Sequence, residues 1–189
     1  MSNLLLVSAI KLEHNSQNLF GYPINIIGIG KVEAATNINR LIAKYNPKVI
    51  VNFGSCGGLK TFNPGEIIEV GEVYNDFYAG RIHSYPKIII GNSKIKCFTT
   101  DVFFDKTNNY HDSYINMIQK CDIVDMELYP LAYNCKVNDI KLFSFKWVSD
   151  DGNLNKWKDM SDIGFLNFKD FFRDWIKKNN FYQLRFHAI

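Results

Sequence analysis

The sequence predicts a single α/β domain, and three observations carry that reading. Short β-branched apolar runs alternate with segments whose apolar residues recur every three to four positions. Between residues 23 and 53 these segments form a strand–helix–strand unit, the signature of a partly parallel sheet with helices on its faces. No repeat, linker or low-complexity stretch interrupts residues 1–189, so one domain accounts for the whole chain.

The elements follow in order. Residues 4–9 (LLLVSA) are a short apolar run and read as a buried strand. Residues 23–29 (PINIIGI) are a second strand, closed by Gly28 and Gly30. Over 31–45, Val32, Ala35, Ile38, Leu41 and Ile42 fall at helical spacing, and Asn46-Pro47 stops the helix. Residues 48–53 (KVIVNF) form a β-branched strand that runs into Gly54-Ser55-Cys56-Gly57-Gly58, read as a tight glycine-rich turn. Pro64-Gly65 marks another turn. Strands are expected over 66–74, 87–90, 95–99, 121–124 and 140–148. Helices are expected over 110–119 and 127–135, the second tolerating Pro130 in its first turn. Phe165, Phe168, Phe171, Phe172, Trp175 and Ile176 give the last helix a thick apolar face.

Composition narrows the function classes. Of 189 residues, 47% are hydrophobic and 15% aromatic, which excludes a disordered chain. No apolar run approaches the roughly 18 residues needed to span a bilayer. The stretch 4–10 has no basic region before it and no small-residue cleavage site after it, so it reads as a strand and not a leader. A net charge of +3 without a Lys/Arg cluster gives no reason to expect nucleic acid. Cys56, Cys97, Cys121 and Cys135 include no CxxC pair, and His14, His83, His111 and His187 add no ligand spacing. No metal is expected, and the cysteines read as reduced thiols of a cytoplasmic protein.

In a parallel sheet, ligands gather at the carboxyl ends of the strands. That rule selects Ser8 and Glu13, the 54–58 segment, Asp101 with Phe103 and Phe104, Asp125-Met126-Glu127, and Ser149-Asp150-Asp151. Each has a plain structural reading: a solvated acid, a turn, core aromatics, an acid complementing a helix dipole, a loop. Gly28-Ile29-Gly30 is no dinucleotide fingerprint, because Glu33 occupies the third glycine position. Convergence on the strand ends is what favours a site.

Four blocks carry a resemblance: Gly28 to Ala35 (GIGKVEAA), Asn52 to Leu59 (NFGSCGGL), Val124 to Glu127 (VDME) and Val148 to Asp150 (VSD). Their order and spacing resemble the nucleoside phosphorylase/nucleosidase superfamily, most closely the 5′-methylthioadenosine/S-adenosylhomocysteine nucleosidases. The resemblance implies a central twisted mixed sheet flanked by helices. It implies cleavage of a purine N-ribosidic bond without a cofactor, and a homodimer. Under it, Asp150 matches the acid that protonates the purine at N7, and Glu13, after Ser8-Ala9, the acid that orients the attacking water. Ser55 lies near that water. Glu127 matches the carboxylate on the ribose hydroxyls, with Met126 packed on the sugar. Phe103 matches the aromatic that stacks on the base, and Phe104 the neighbour whose backbone reads the base edge. Ser8 belongs to the substrate-binding set.

The departures are specific. Lys146 stands where an Arg is common, Asp125 replaces the Glu before Met, and the family's second acid after the Ser-Asp pair is missing, since Asp151-Gly152-Asn153 follows. The segment 59–98 is short, as is the stretch from Glu13 to Pro23. That leaves Tyr74, Asp76, Phe77, Tyr78, Arg81 and His83 as expected lining of the pocket for the 5′ substituent. Asn52 stands where hexameric phosphorylases place a phosphate-binding Arg, which favours hydrolysis. The Ser55-Cys56 spelling is phosphorylase-like, so a phosphate-dependent phosphorylase and a non-catalytic nucleoside binder stay open as alternatives.

Overall fold

The computed structural model describes residues 4–63, 65–79, 82–84, 86–105, 109, 112–150 and 154–181. The chain begins with β1 (Leu4–Ser8), a one-turn 3₁₀ helix (Lys11–Glu13), β2 (Asn18–Leu19), β3 (Tyr22–Ile26) and α1 (Gly30–Tyr45). β4 (Val49–Gly58), β5 (Ile67–Glu69), β6 (Glu72–Asn75), β7 (Phe77–Ala79), β8 (Ile82–Ser84) and β9 (Lys87–Ile89) follow. The last part holds β10 (Lys96–Thr99), α2 (Asp112–Ile118), β11 (Ile123–Asp125), α3 (Leu128–Val137), β12 (Lys141–Asp150) and α4 (Leu154–Lys178). The expected α/β class is met by a mixed sheet with helices on both faces.

β4 is the spine of that sheet. It pairs parallel with β1 from Val49 to Asn52 and with β12 from Val49 to Gly57, while its far end meets β11 antiparallel at Gly57 and Gly58. β11 continues parallel into β10, and β10 into β6. β7 and β8 form a separate hairpin.

The strands at the centre are apolar on both faces because both faces are covered. In β1, Leu5 and Val7 join α1 and α3 through Ala34, Ile38, Leu128 and Leu131. Leu4 and Leu6 point the other way and join Phe165, Phe168 and Phe172 of α4. β4 splits likewise, Ile50 to one side and Val51 and Phe53 to the other. Phe168 stacks on Phe53 with centroids 4.5 Å apart and planes 10° from parallel. α4 comes this close because Gly164 meets Trp147: a Cβ at that position would sit 2.2 Å from the indole ring. Such an overlap forces the helix off the sheet.

Two local expectations change. The 54–58 segment is strand, not turn. Its glycines and serine carry turn signals, but β12 pairs with it through Gly57, and tertiary pairing overrides local propensity. Val32, counted on the buried face of α1, is 80% exposed, and Ala34 takes the core position instead. α1 does stop as expected: Asn46 adopts the left-handed conformation, its N–H donates to the Ile42 carbonyl, and Pro47 follows. The four cysteines are free and buried.

Candidate active site

β1 ends at Ser8, and the 3₁₀ helix turns the chain so that Glu13 folds back over β4. Glu13 is 4% exposed. The Ser8 hydroxyl donates to Oε2 at 2.9 Å, and the Ser55 backbone N–H and hydroxyl donate to Oε1 at 2.8 and 2.6 Å. Gly54 makes this seat possible, because a Cβ there would lie 2.9 Å from Oε2. A carboxylate offers about four lone-pair sites. Three are taken here, leaving a position for a donor from the cavity.

A second acid comes from the turn between β11 and α3. Glu127 is buried, and its Oε1 accepts from the backbone N–H of Gly30 at 2.8 Å, where the glycine turn opens α1. Burial raises its pKa to about 7, and Asp125 and, more weakly, Glu13 push the same way. Lys146 and the Gly30 N–H oppose the shift.

Beneath both acids lies a buried ion pair. Lys146 Nζ stands 2.9 Å from Asp125 Oδ2, both side chains being almost fully enclosed. Asp125 also accepts from the Thr99 hydroxyl at 2.8 Å and from the Leu128 N–H at 2.9 Å, which caps the first turn of α3. Thr99 Oγ1 in turn accepts from the Tyr129 N–H at 3.0 Å. Burial alone would depress the Lys146 ammonium, but Asp125, Glu127, Cys97 and Glu13 together hold it above its ordinary range. A pair this enclosed needs every oxygen satisfied, and Asp125 meets that condition.

Glu13, Ser55, Phe103, Phe104, Met126 and Glu127 all line one cavity of about 350 Å³. Ala9, Ile10, Leu12, Ile29, Cys56 and Ser149 complete much of its wall. That volume suits a small ligand. Phe103 and Phe104 are half-buried and face the cavity, and Phe104 also packs against the cluster around Phe98 and Tyr114. The described lining includes no Lys or Arg. Among the described residues, no cluster of His, Cys, Asp and Glu could hold a metal ion. The arrangement therefore offers two hydrogen-bonded carboxylates, an aromatic wall and apolar flanks: a seat for a polyhydroxylated group beside a flat ring.

Other expected residues fall elsewhere. Ser8 does not line the cavity; it stands behind Glu13 and steadies it. Asn52 is buried and accepts from the Ser144 hydroxyl at 3.0 Å, turned toward β12 and away from the cavity. Tyr74 donates to Glu72 at 2.7 Å, and neither it nor Asp76 lines the cavity. Arg81 and the side chains of Phe77, Tyr78 and His83 lie outside the described residues. Asp150 ends β12 in register with Gly57, directly after Ser149 of the cavity wall; its side chain is likewise outside the described part. Sequence reasoning named Asp125 and Lys146 singly, but missed their ion pair, the Thr99 hydroxyl on Asp125 and the Gly30 N–H as parts of the site.

The Phosphorylase superfamily model matches residues 21–87, which carry the glycine turn, α1 and β4. The 5′-methylthioadenosine/S-adenosylhomocysteine nucleosidase of Buchnera aphidicola subsp. Baizongia pistaciae is 29% identical over 154 residues, covering 68% of this chain and 61% of the relative. The chain thus spans less than two thirds of that relative's length. The nucleosidase of the same name from Staphylococcus haemolyticus is 27% identical, covering 88% of this chain and 82% of the relative. The crystal structure of the Helicobacter pylori nucleosidase with butyl-thio-DADMe-Immucillin-A superposes with a TM-score of 0.73 at 11% identity, covering 93% and 97% of the two chains. At that identity the likeness speaks for the fold. The glycine turn and the central strand thus fall within the matched segment, and over residues 21–87 the chain is similar to the phosphorylase superfamily.

Proposed function

We propose that the protein is a purine nucleosidase that hydrolyses the N-ribosidic bond of an adenine-type nucleoside, releasing the base and the free sugar. One observation carries the reading: Glu13 on Ser55 and Glu127 on the Gly30 N–H share a single cavity with Phe103 and Phe104, and no described cation lines it. In this reading the base stacks on Phe103, and the backbone beside Phe104 reads its edge. The ribose hydroxyls donate to Glu127, over Met126. The bond between C1′ and the base nitrogen breaks with its electron pair going to the purine, which takes a proton at N7 from Asp150. Water held by Glu13 and Ser55 attacks C1′ and yields its proton to Glu13. The sugar passes through an oxocarbenium-like state, which the two carboxylates stabilise.

Hydrolysis is favoured over phosphorolysis by charge. A phosphate dianion entering beside Glu13 and Glu127 meets two acids with no cation in the described lining, and the repulsion grows as water is excluded. Water carries no such penalty. Ile10, Leu12 and Ile29 give the cavity an apolar flank that suits a 5′-alkylthio group, as in 5′-methylthioadenosine or S-adenosylhomocysteine. Leu12 and Ile29 are 72% and 53% exposed in the single chain, which supports a homodimer covering the cavity mouth. The four free, buried thiols support a cytoplasmic protein.

The test is product identity. Purine nucleosides with and without a 5′-alkylthio group are incubated in phosphate-free buffer and again with added phosphate. Release of base and free sugar at equal rates in both is expected. Strict dependence on phosphate with ribose-1-phosphate as product would establish a phosphorylase, and binding without release a nucleoside binder.

A further inference from the structure

His14 follows Glu13 and has no part in the chemistry above. Its Nδ1 lies 2.7 Å from the Ser16 carbonyl oxygen. A carbonyl only accepts, so Nδ1 carries the hydrogen and Nε2 is the bare nitrogen of a neutral ring. The ring is wedged between Phe53 of β4 and Phe165 of α4, with centroids 5.8 and 5.7 Å away. Nε2 is buried with no hydrogen-bond partner among the described residues. A phenylalanine would fill this slot without stranding a nitrogen, so packing alone does not require histidine. What the imidazole adds is its bond to Ser16.

The one-turn helix has few other anchors. No side chain caps its start, Lys11 is exposed, and Leu12 is 72% exposed. Only Glu13 and His14 reach inward, one toward Ser55 and the other into the aromatic slot. We propose that His14 is a positioning residue for Glu13: the neutral ring, bonded to Ser16 and wedged between Phe53 and Phe165, pins the one-turn helix so that the Glu13 carboxylate stays on Ser55. The consequence for catalysis rests on the nucleosidase reading; the placement of Glu13 does not.

The wedge works only while the ring is neutral. The charged groups that bear on it are Glu13 and Lys11 from its own helix, while β4 and α4 meet it with the Phe53 and Phe165 rings. Burial holds the imidazole below its ordinary 6.5, outweighing the Ser16 carbonyl and Glu13, with Lys11 acting in the same direction as burial. A proton on Nε2 sets a charged donor among aromatic walls, so in mild acid the ring leaves its slot and Glu13 loosens. Base release then gains a limb below 6.5 that belongs to His14, beside the one set by Glu127 at about 7, and this limb affects kcat, not KM.

The Ser55 amide, which donates to Glu13, reports this placement without any substrate. In the wild-type protein, the Ser55 amide resonance and the ring-carbon resonances of His14 are followed by NMR from pH 8 to 5, beside base release. The His14 ring and the Ser55 amide are expected to share a midpoint below 6.5, and kcat to fall further over that range. His14→Phe should show a displaced Ser55 amide at every pH and kcat lower by about tenfold or more, since small misplacements of a catalytic group are costly. KM should hold, and His14→Asn, which restores a donor toward Ser16, should recover part of kcat. A Ser55 amide that ignores the His14 titration, or that is unchanged in His14→Phe, overturns the proposal. If His14→Phe does not fold, the wild-type titration decides alone. If the wild type cleaves no nucleoside while Ser55 follows His14, the positioning stands and the nucleosidase reading falls.

Discussion

Replacing Glu127 with Gln should stabilise the folded protein above neutral pH even as it harms the site. Gln keeps an acceptor for the Gly30 N–H and removes a charge that burial and Asp125 disfavour. The native carboxyl titrates at about 7 against an ordinary 4.5. At about 1.4 kcal/mol per unit, that displacement amounts to about 3 kcal/mol. The sign follows from proton binding. Between pH 4.5 and about 7 the native state holds its proton more tightly than the unfolded chain, so stability falls as pH rises through that window and levels off above it. Glu127→Gln lacks this fall. Denaturant unfolding of both proteins from pH 4.5 to 8 should give a gap that widens with pH, toward about 3 kcal/mol in favour of the mutant. The contribution of His14 is common to both proteins and cancels in the difference. A gap that stays constant with pH, or widens against the mutant, would refute the assignment of a strained, buried charge to Glu127. The same mutant should bind ribosides more weakly and leave free adenine binding nearly unchanged.

Asp150→Asn should lower turnover by about 10² or more while analogue binding falls less, because general acids typically contribute 10²–10⁴; single-turnover base release measures it. Phe103→Ala should weaken free base and nucleoside alike by about 1–3 kcal/mol, the usual worth of base–aromatic stacking. Calorimetric titration with adenine and its nucleoside checks this, and a loss confined to the nucleoside would place the base elsewhere. Gly54→Ala should push Glu13 off Ser55, since the added Cβ falls 2.9 Å from Oε2. Turnover by steady-state assay should drop about tenfold or more with the fold intact by circular dichroism, and unchanged turnover would remove Glu13 from the reacting centre.

The sequence was most readable where both faces of an element are buried. Leu4–Val7 of β1 and Val49–Val51 of β4 appear as unbroken apolar runs for that reason, and α4 as a dense aromatic stripe. It was least readable where pairing depends on distant partners. The two-residue β2 and the β7–β8 hairpin carry too few residues for a periodic signal. The 54–58 segment reads locally as a turn, and only β12 makes it a strand. The acids of the site stood out because they follow strand ends. Lys146 stood out only through the resemblance, although a charged residue between Phe145 and Trp147 in a buried strand demands a partner, and Asp125 in Ile-Val-Asp is the matching signal. Their pairing across the fold is invisible in either segment alone. Ser8 stands at a strand end, but its hydroxyl serves Glu13 and it does not line the cavity.

The pairing of β4 also governs how the molecule comes together in time. Its N-terminal partner β1 precedes it, but β12 begins at Lys141, in register with Val49. Parallel neighbours so far apart in the chain give a high contact order, which slows folding because loop closure precedes the gain from pairing. During synthesis β4 emerges with an unpaired edge and with Val51 and Phe53 uncovered until β12 and α4 are made. Ser149 and Asp150 arrive on that same last strand. During synthesis the cavity therefore lacks its Ser149 wall until β12 has emerged, long after Glu13.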